Sequence, residues 1–256
     1  MDSATHNAIV NFVWGIADDV LRDLYVRGKY RDVVLPMTVL RRLDAVLEPT
    51  KKAVLDMKVT MDRAGVADQD AALRHAAGQA FYNTSKFTLR DLKARTTQQQ
   101  LKSDFEDYLD GFSPNVQDIL DSFEFRNQVP RLSKADALGT LIEKFLASDI
   151  NLGPRPVLHG NGSVKLPGLD NHTMGTIFEE LVRRFNEENN EEAGEHWTPR
   201  DAVKLMANLI FLPVADKIES GTYLLYDAAC GTGGMLTVGN RSRPSAVVSG
   251  MIVFLL

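Results

Sequence analysis

Apolar residues recur every three or four positions through most of the first 150 residues, as on one face of an α-helix. Segment 6–27 predicts a helix that ends near Gly28. Its apolar stripe is Ile9, Val13, Ile16, Val20 and Leu24. Residues 35–47 predict a second helix, with Pro36 near its start and Pro49 beyond its end. Less regular stripes predict helices over 71–80 and 96–109, and the aromatic residues around them are expected in the core.

Two further helices flank a segment with a different pattern. Ser133 and Asp136 suit the start of a helix over 137–147, and Asp170 or Asn171 can cap a helix that continues to Phe185. The apolar stripe of the second helix is Met174, Ile177/Phe178, Leu181/Val182 and Phe185. Between them, glycines and prolines interrupt residues 151–168, which predicts a connection between domains.

Near the end of the chain the pattern changes to that of a strand. Residues 223–226 form a large apolar run after Gly221, which predicts a buried strand. The turn Gly231-Thr232-Gly233-Gly234 follows, and a helix is expected from Met235. Glycines in such a turn let the backbone approach a nucleotide-like ligand. A strand-ending turn without a ligand explains these residues equally well.

A second segment precedes this strand. Thr198 suits a helix N-cap and Pro199 a first helical residue, because proline lacks the N–H that this position could not use. Val203, Met206 and Ile210 then repeat at helical spacing. On these residues alone, the segment is a well-capped helix that packs on the strand.

Composition restricts the function classes. The chain is an ordinary globular sequence, with 44% hydrophobic residues, 25% charged residues and one cysteine, Cys230. A single cysteine excludes an internal disulfide and fits a reducing cytoplasm. The net charge of −5 excludes an electrostatic DNA clamp formed by the chain as a whole, so DNA contact needs a local patch or a basic partner. Segment 22–63, rich in Lys and Arg, suits either a DNA-facing surface or a solvated helix face.

The segments Glu195-His196-Trp197-Thr198-Pro199-Arg200 and Asp227-Ala228-Ala229-Cys230-Gly231-Thr232-Gly233-Gly234 together resemble adenine-N6 DNA methyltransferases. The resemblance is strongest to the modification (M) subunit of type I restriction–modification systems. It departs at His196, where the family has an aromatic residue, and at Ala228, where it has proline. The N-terminal run Val13–Arg22 is similar to the helical domain of the same subunits.

The resemblance implies a mainly α N-terminal domain (1–150), a connection (151–168) and the beginning of an α/β Rossmann-like, S-adenosylmethionine-dependent methyltransferase domain (169–240). Residues 241–256 form an atypical tail. The cofactor would be S-adenosylmethionine. The implied cofactor-binding residues are Glu195, His196, Trp197, Thr198, Pro199, Arg200, Asp227, Thr232, Gly233 and Gly234. The implied partners are a specificity subunit, a second M subunit, a restriction subunit and double-stranded DNA, in the cytoplasm and without a membrane.

The resemblance stops near residue 238. Family members hold the flipped adenine with an Asn/Asp-Pro-Pro-aromatic motif, but no two prolines are adjacent here, so no catalytic residue is assigned. The acidic, asparagine-rich run 186–195 is interpreted as a solvated loop, and no metal site is assigned. We expect a truncated or frame-shifted M subunit whose single methyltransferase strand leaves a sheet edge uncovered. A non-catalytic helical module that docks on the specificity subunit is the alternative.

Overall fold

The computed structural model of the protein describes residues 3–95, 97–188, 198, 200–217, 222–225, 235 and 247–250. The chain divides into two compact units, residues 1–182 and 183–256. Within the described residues, none of the helices has the length and apolar character needed to cross a membrane. The first unit is almost entirely helical, as the sequence predicts.

Helix α9 lies at the centre of the first unit. It packs against α1, α2, α5, α6 and α8, and its side chains Leu138, Leu141 and Ile142 are fully buried, which confirms the predicted apolar face. The helices of this unit are α1 (Ser3–Leu21), α2 (Arg31–Leu47), α3 (Lys51–Arg63), α4 (Asp70–Ala77), α5 (Leu89–Lys93), α6 (Gln98–Asp110), α7 (Pro114–Ser122), α8 (Phe125–Lys134) and α9 (Ala137–Phe145). Helix α10 (Asn171–Glu188) begins in this unit.

The first two helices have bounds that differ from the prediction. Helix α1 ends at Leu21, well before Gly28, because the Leu21 carbonyl accepts from the N–H groups of Leu24 and Tyr25 and closes a turn. Helix α2 begins at Arg31, which places Pro36 inside it. A proline there removes one backbone hydrogen bond. Complete burial of the apolar residues of the first turns of α2 offsets that loss.

Helix α3 and the short helices α5, α7 and α8 were not predicted. Ser133 lies inside α8 and does not start α9, so that capping prediction is wrong. Asp136 does precede α9, but in a left-handed conformation and without a side-chain capping hydrogen bond. Helices this short gain their stability from tertiary packing more than from local propensity, which explains why their sequences carry weak signals.

Aromatic side chains of the first unit fill its core, as expected. Tyr108 packs edge-on against Phe112, with ring centroids 5.2 Å apart, and Phe105 packs edge-on against Phe125. Tyr82 and Phe87 are also buried. These rings are therefore not available as base-stacking platforms.

The predicted connection contains regular structure. Strands β1 (Val157–Leu158) and β2 (Val164–Leu166) pair antiparallel as a hairpin. Asp170 Oδ1 then accepts from the Thr173 N–H at 2.7 Å, which confirms the predicted cap of α10. Four residues of the predicted α10 stripe are buried, whereas Phe178 and Val182 are only partly buried. The helix continues to Glu188, so residues 186–188 are helical and Asn186 is buried, contrary to the predicted loop. The boundaries of the domains stay a prediction.

The second unit contains described parts of the predicted methyltransferase domain and of the predicted tail. They are α11 (Arg200–Phe211), a 3₁₀ turn (Leu212–Lys217), β3 (Thr222–Leu225) and β4 (Val247–Gly250). Strands β3 and β4 pair parallel, with Thr222 opposite Val247 and Leu225 opposite Gly250. The tail therefore supplies a neighbour to the predicted strand, which corrects the expectation of a single unpaired strand. A parallel pair of this kind belongs to α/β architecture.

Candidate functional site

The first part of the predicted cofactor site lies just before α11. Thr198 is exposed and stands two residues before Arg200, where the helix begins. Backbone N–H groups at a helix start are unpaired within the helix and suit the binding of a negatively charged group. Of Arg200, the structure describes the backbone only. Glu195, His196, Trp197 and Pro199 lie outside the described residues.

Helix α11 buries a different face from the predicted one. Val203 and Ala207, one turn apart, are buried, whereas Met206 is 38% exposed and Ile210 is 55% exposed. Leu205 and Leu209 are exposed as well. The predicted stripe is thus correct for Val203 and wrong for Met206 and Ile210. An amphipathic pattern shows which residues can be buried, but a neighbouring surface decides which ones are.

The second part of the predicted site follows β3. Strand β3 confirms the strand predicted at 223–226, with its bounds one residue earlier. Met235 is helical, as expected for a helix that follows the glycine turn. Asp227, Thr232, Gly233 and Gly234 lie outside the described residues. The described elements therefore stand on both sides of the predicted site in the chain, but no two of the predicted side chains are brought together.

A buried polar network in the first unit was not predicted. Asp44 on α2 accepts from the Leu89 N–H at 3.2 Å and from the Tyr108 hydroxyl at 3.1 Å. Burial raises the pKa of the Asp44 carboxyl and of the Tyr108 hydroxyl. The network joins α2, α5 and α6 through one carboxylate, which is typical of a polar group that fixes the packing of a core.

Lys51 extends this network at the start of α3. Its Nζ donates to the Asn83 carbonyl at 3.2 Å and to Asn83 Oδ1 at 2.9 Å. Asn83 in turn donates through Nδ2 to the Tyr108 carbonyl at 2.9 Å. Burial lowers the pKa of Lys51 to about 8. Because Lys51 and Asn83 hydrogen bond to each other and to neighbouring backbone, the arrangement is structural and offers no group for chemistry.

Arg42 forms a third polar contact that the sequence did not indicate. Its Nη1 donates to the carbonyls of Leu152 and Leu169, both at 2.9 Å, and its Nη2 donates to Asn171 Oδ1 at 2.8 Å. One guanidinium thereby ties α2 to both ends of the hairpin segment and to the first residue of α10. The sequence offers only a weak signal for this role, namely an arginine placed among the aliphatic residues of a helix.

The sequence matches two protein-family models. The model described as HsdM N-terminal domain matches residues 9–145, and the model described as N-6 DNA Methylase matches residues 169–243. The predicted connection falls between the two matches. A comparison with curated proteins finds no match.

The fold is similar to a crystal structure of the type I restriction-modification system methyltransferase subunit from Streptococcus thermophilus. The TM-score is 0.51 at 17% sequence identity, and the match covers 96% of this chain and 52% of that chain. The chain therefore spans about half of the length of that subunit, and the likeness shows the fold. Because the HsdM N-terminal domain alone accounts for more than half of the sequence, the chain belongs to the HsdM (modification subunit) family, with the beginning of an N-6 DNA methylase domain after its helical domain.

Proposed function

We propose that the protein functions as a modification subunit of a type I restriction–modification system, in the transfer of a methyl group from S-adenosylmethionine to adenine N6 in DNA. The observation that carries the proposal is the succession of an HsdM N-terminal domain and an N-6 DNA methylase region in one chain. The parallel pair of β3 and β4, and the helix that precedes them, support an α/β methylase domain.

The proposed cofactor is S-adenosylmethionine. Glu195, His196, Trp197, Thr198, Pro199 and Arg200 would line its methionine and adenine parts. Asp227, two residues after β3, would approach the methionine ammonium, because a carboxylate suits a cation at the end of a strand. Thr232, Gly233 and Gly234 would approach the cofactor through their backbone N–H groups.

The methyl-transfer step needs groups that this sequence does not contain. Adenine N6 is a weak nucleophile because its lone pair is delocalised into the ring, so hydrogen-bond acceptors must hold its amino group and direct the lone pair at the sulfonium methyl. No two prolines are adjacent in residues 1–256, so the Asn-Pro-Pro-aromatic motif for this task is absent from them. We therefore assign cofactor binding, and no catalytic residue, to this chain.

The proposed partners are a specificity subunit, a second modification subunit, a restriction subunit and double-stranded DNA, in the cytoplasm. The alternative function is a non-catalytic helical module that docks on the specificity subunit. The complete hydrophobic core of the first unit favours it as a role that the helical domain can perform by itself. Gel filtration with a specificity subunit tests this alternative. Stable co-elution without cofactor binding supports the module, whereas co-elution with binding of S-adenosylmethionine supports the enzyme subunit.

Isothermal titration of the whole chain with S-adenosylmethionine tests the cofactor site. We expect binding by the native chain and its loss in Asp227→Ala, because a buried sulfonium amino acid needs an anionic partner for its ammonium. Asp118→Ala, a change to an exposed acid on α7, removes the same charge and is the control. Equal affinity of the native chain and Asp227→Ala, or no binding by the native chain, would contradict the proposed site.

A further inference from the structure

The hairpin of β1 and β2 is an exposed, acid-free projection of the first unit. Every residue from 154 to 165 is exposed, including the apolar side chains Leu158 (54%) and Val164 (58%). No Asp or Glu occurs between Asp149 and Asp170, although the chain as a whole carries 34 acids and a net charge of −5. The hairpin is thus a local positive and apolar surface on an acidic protein.

Arg155 and Lys165 are the exposed cations of the hairpin. In the part of the chain that the structure describes, the side chains of Arg155 and Lys165 form no salt bridge. The cations of segment 22–63, in contrast, are largely engaged. Salt bridges join Arg22 to Asp18, Lys29 to Asp32, Lys52 to Asp56 and Lys58 to Asp62. Arg42 and Lys51 donate to buried acceptors. Among the described residues, exposed cations without a salt bridge also occur at Arg63 and Lys134, but the hairpin holds two of them in a segment that contains no acid.

The base of the hairpin is held in a fixed geometry. Asn151 Nδ2 donates to the carbonyls of Arg155 at 2.7 Å and Pro167 at 2.9 Å, so one amide bridges the two strands below their pairing. Gly168 lies so close to the other strand that an added Cβ would stand 2.4 Å from the Pro154 carbonyl oxygen. Arg42 fixes the two outer ends through Leu152 and Leu169.

The tip of the hairpin is also ordered by its own contacts. The His159 N–H donates to the Ser163 carbonyl at 2.8 Å, and Asn161 Oδ1 accepts from the Ser163 N–H at 3.0 Å. Gly162 adopts φ +82°, which a side chain would disfavour. A projection that is rigid before binding loses little conformational entropy when it binds.

We propose that this hairpin contacts the sugar–phosphate backbone of duplex DNA. Phosphates suit Arg155 and Lys165, the glycine-containing tip permits close approach, and exposed apolar residues suit the sugars. A two-stranded ribbon has the width that a DNA groove admits. The inference rests on the proposed function, for which DNA is the substrate, and it assigns the contact to residues 154–167 in place of segment 22–63.

Fluorescence anisotropy with a labelled 30-base-pair duplex tests the proposal on the whole chain. Each phosphate contact contributes about 0.9 to the slope of log affinity against log salt concentration. We expect the double variant Arg155→Ala/Lys165→Ala to lower that slope by about 2, and to weaken binding about tenfold or more at low salt. The matched control is Lys52→Ala/Lys102→Ala, which removes the same charge from two helices. Absence of binding by the native chain, or equal weakening by both double variants, would overturn the proposal.

A photo-crosslinking side chain at Gly160, where an added Cβ meets nothing within 4 Å, identifies the partner directly. An adduct with a DNA strand supports the proposal, whereas an adduct with a second copy of the chain through the open strand edges contradicts it. Titration of both double variants with S-adenosylmethionine separates this inference from the proposed function. If the hairpin double variant loses DNA binding but keeps the native affinity for S-adenosylmethionine, the loss comes from the hairpin and the cofactor site is intact. DNA contact by a native chain that binds no cofactor refutes the methyltransferase role and leaves the hairpin contact standing.

Discussion

Replacement of Arg42 by methionine tests whether one guanidinium fixes the hairpin segment to the helical unit. Methionine retains much of the aliphatic contact of arginine but none of its donors. The change therefore removes three hydrogen bonds, to the carbonyls of Leu152 and Leu169 and to Asn171 Oδ1. Both leucines are buried, so water cannot readily replace the lost donors.

The expected loss follows from the two stranded carbonyls. Each buried acceptor without a partner costs about 1–3 kcal/mol, whereas Asn171 Oδ1 lies where solvent can reach it. Part of this cost is recovered, because the native structure buries a charge that the variant lacks. Burial lowers the pKa of Arg42, which shows that its charge is disfavoured there. We expect a net decrease of about 2–4 kcal/mol in the free energy of unfolding.

Urea unfolding followed by far-ultraviolet circular dichroism measures this decrease, and hydrogen exchange locates it. The Leu169 N–H, which donates to the Gly153 carbonyl at 2.9 Å, should exchange at least about tenfold faster in the variant. Arg42→Lys should be intermediate, because an ammonium cannot reach three acceptors as a planar guanidinium does. Arg90→Met is the control, since its guanidinium is 68% exposed and pairs only at the surface with Glu48. A loss in Arg42→Met no larger than that in the control, or a loss without faster exchange in residues 150–171, would refute the reasoning.

Three further predictions concern stability and surface. Lys51 has a pKa of about 8 in the folded protein, below its ordinary value of 10.5, so unfolding takes up a proton between pH 8 and pH 10.5. The free energy of unfolding should therefore rise with pH in this range, by less than about 1.4 kcal/mol per pH unit. Lys51→Met should remove this pH dependence. Gly111→Ala should cost about 2 kcal/mol in urea unfolding, because the added Cβ would stand 2.4 Å from the Ser85 nitrogen. Leu209→Glu should reduce binding of a hydrophobic dye without loss of helix signal, since Leu209 is 66% exposed on α11.

Each of these predictions has a matched control. Lys52→Met removes an exposed amine and should leave the pH dependence as in the native chain. Gly15→Ala adds a Cβ into open space within α1 and should be neutral or stabilising. Val59→Glu changes a 47% exposed residue of α3 and should leave dye binding unchanged. If a variant and its control gave the same result in the assay named for them, the physical reason given for that prediction would be wrong.

The described residues confirm the parts of the prediction that depend on long, regular patterns. Most of the stripe from Met174 to Phe185 and the whole predicted α9 face are buried as expected, and the strand before the glycine turn forms. The short helices α5 and α7 were missed, because a helix of fewer than three turns has too few positions to show a period. The helix start at Arg31 was missed because Pro36 suggested a later one, and only burial in three dimensions offsets its lost hydrogen bond.

The predicted cofactor site illustrates a different limit. Its residues were identified by a resemblance between two short segments, and the structure describes only Thr198 and the backbone of Arg200 among them. Their roles stay a prediction. Met206 and Ile210 show that helical spacing alone does not reveal which face will be covered.

The sequence by itself determined the helical character of the first 150 residues, the strand before the glycine turn and the family, because these depend on local periodicity and on adjacent residues. The tertiary structure decided the roles of Arg42, Asp44 and Lys51, whose partners lie far away along the chain. It also decided that most cations of segment 22–63 pair with acids or with buried acceptors, whereas Arg155 and Lys165 form no salt bridge among the described residues. Composition counts charges, but only three-dimensional neighbours show which of them are already neutralised.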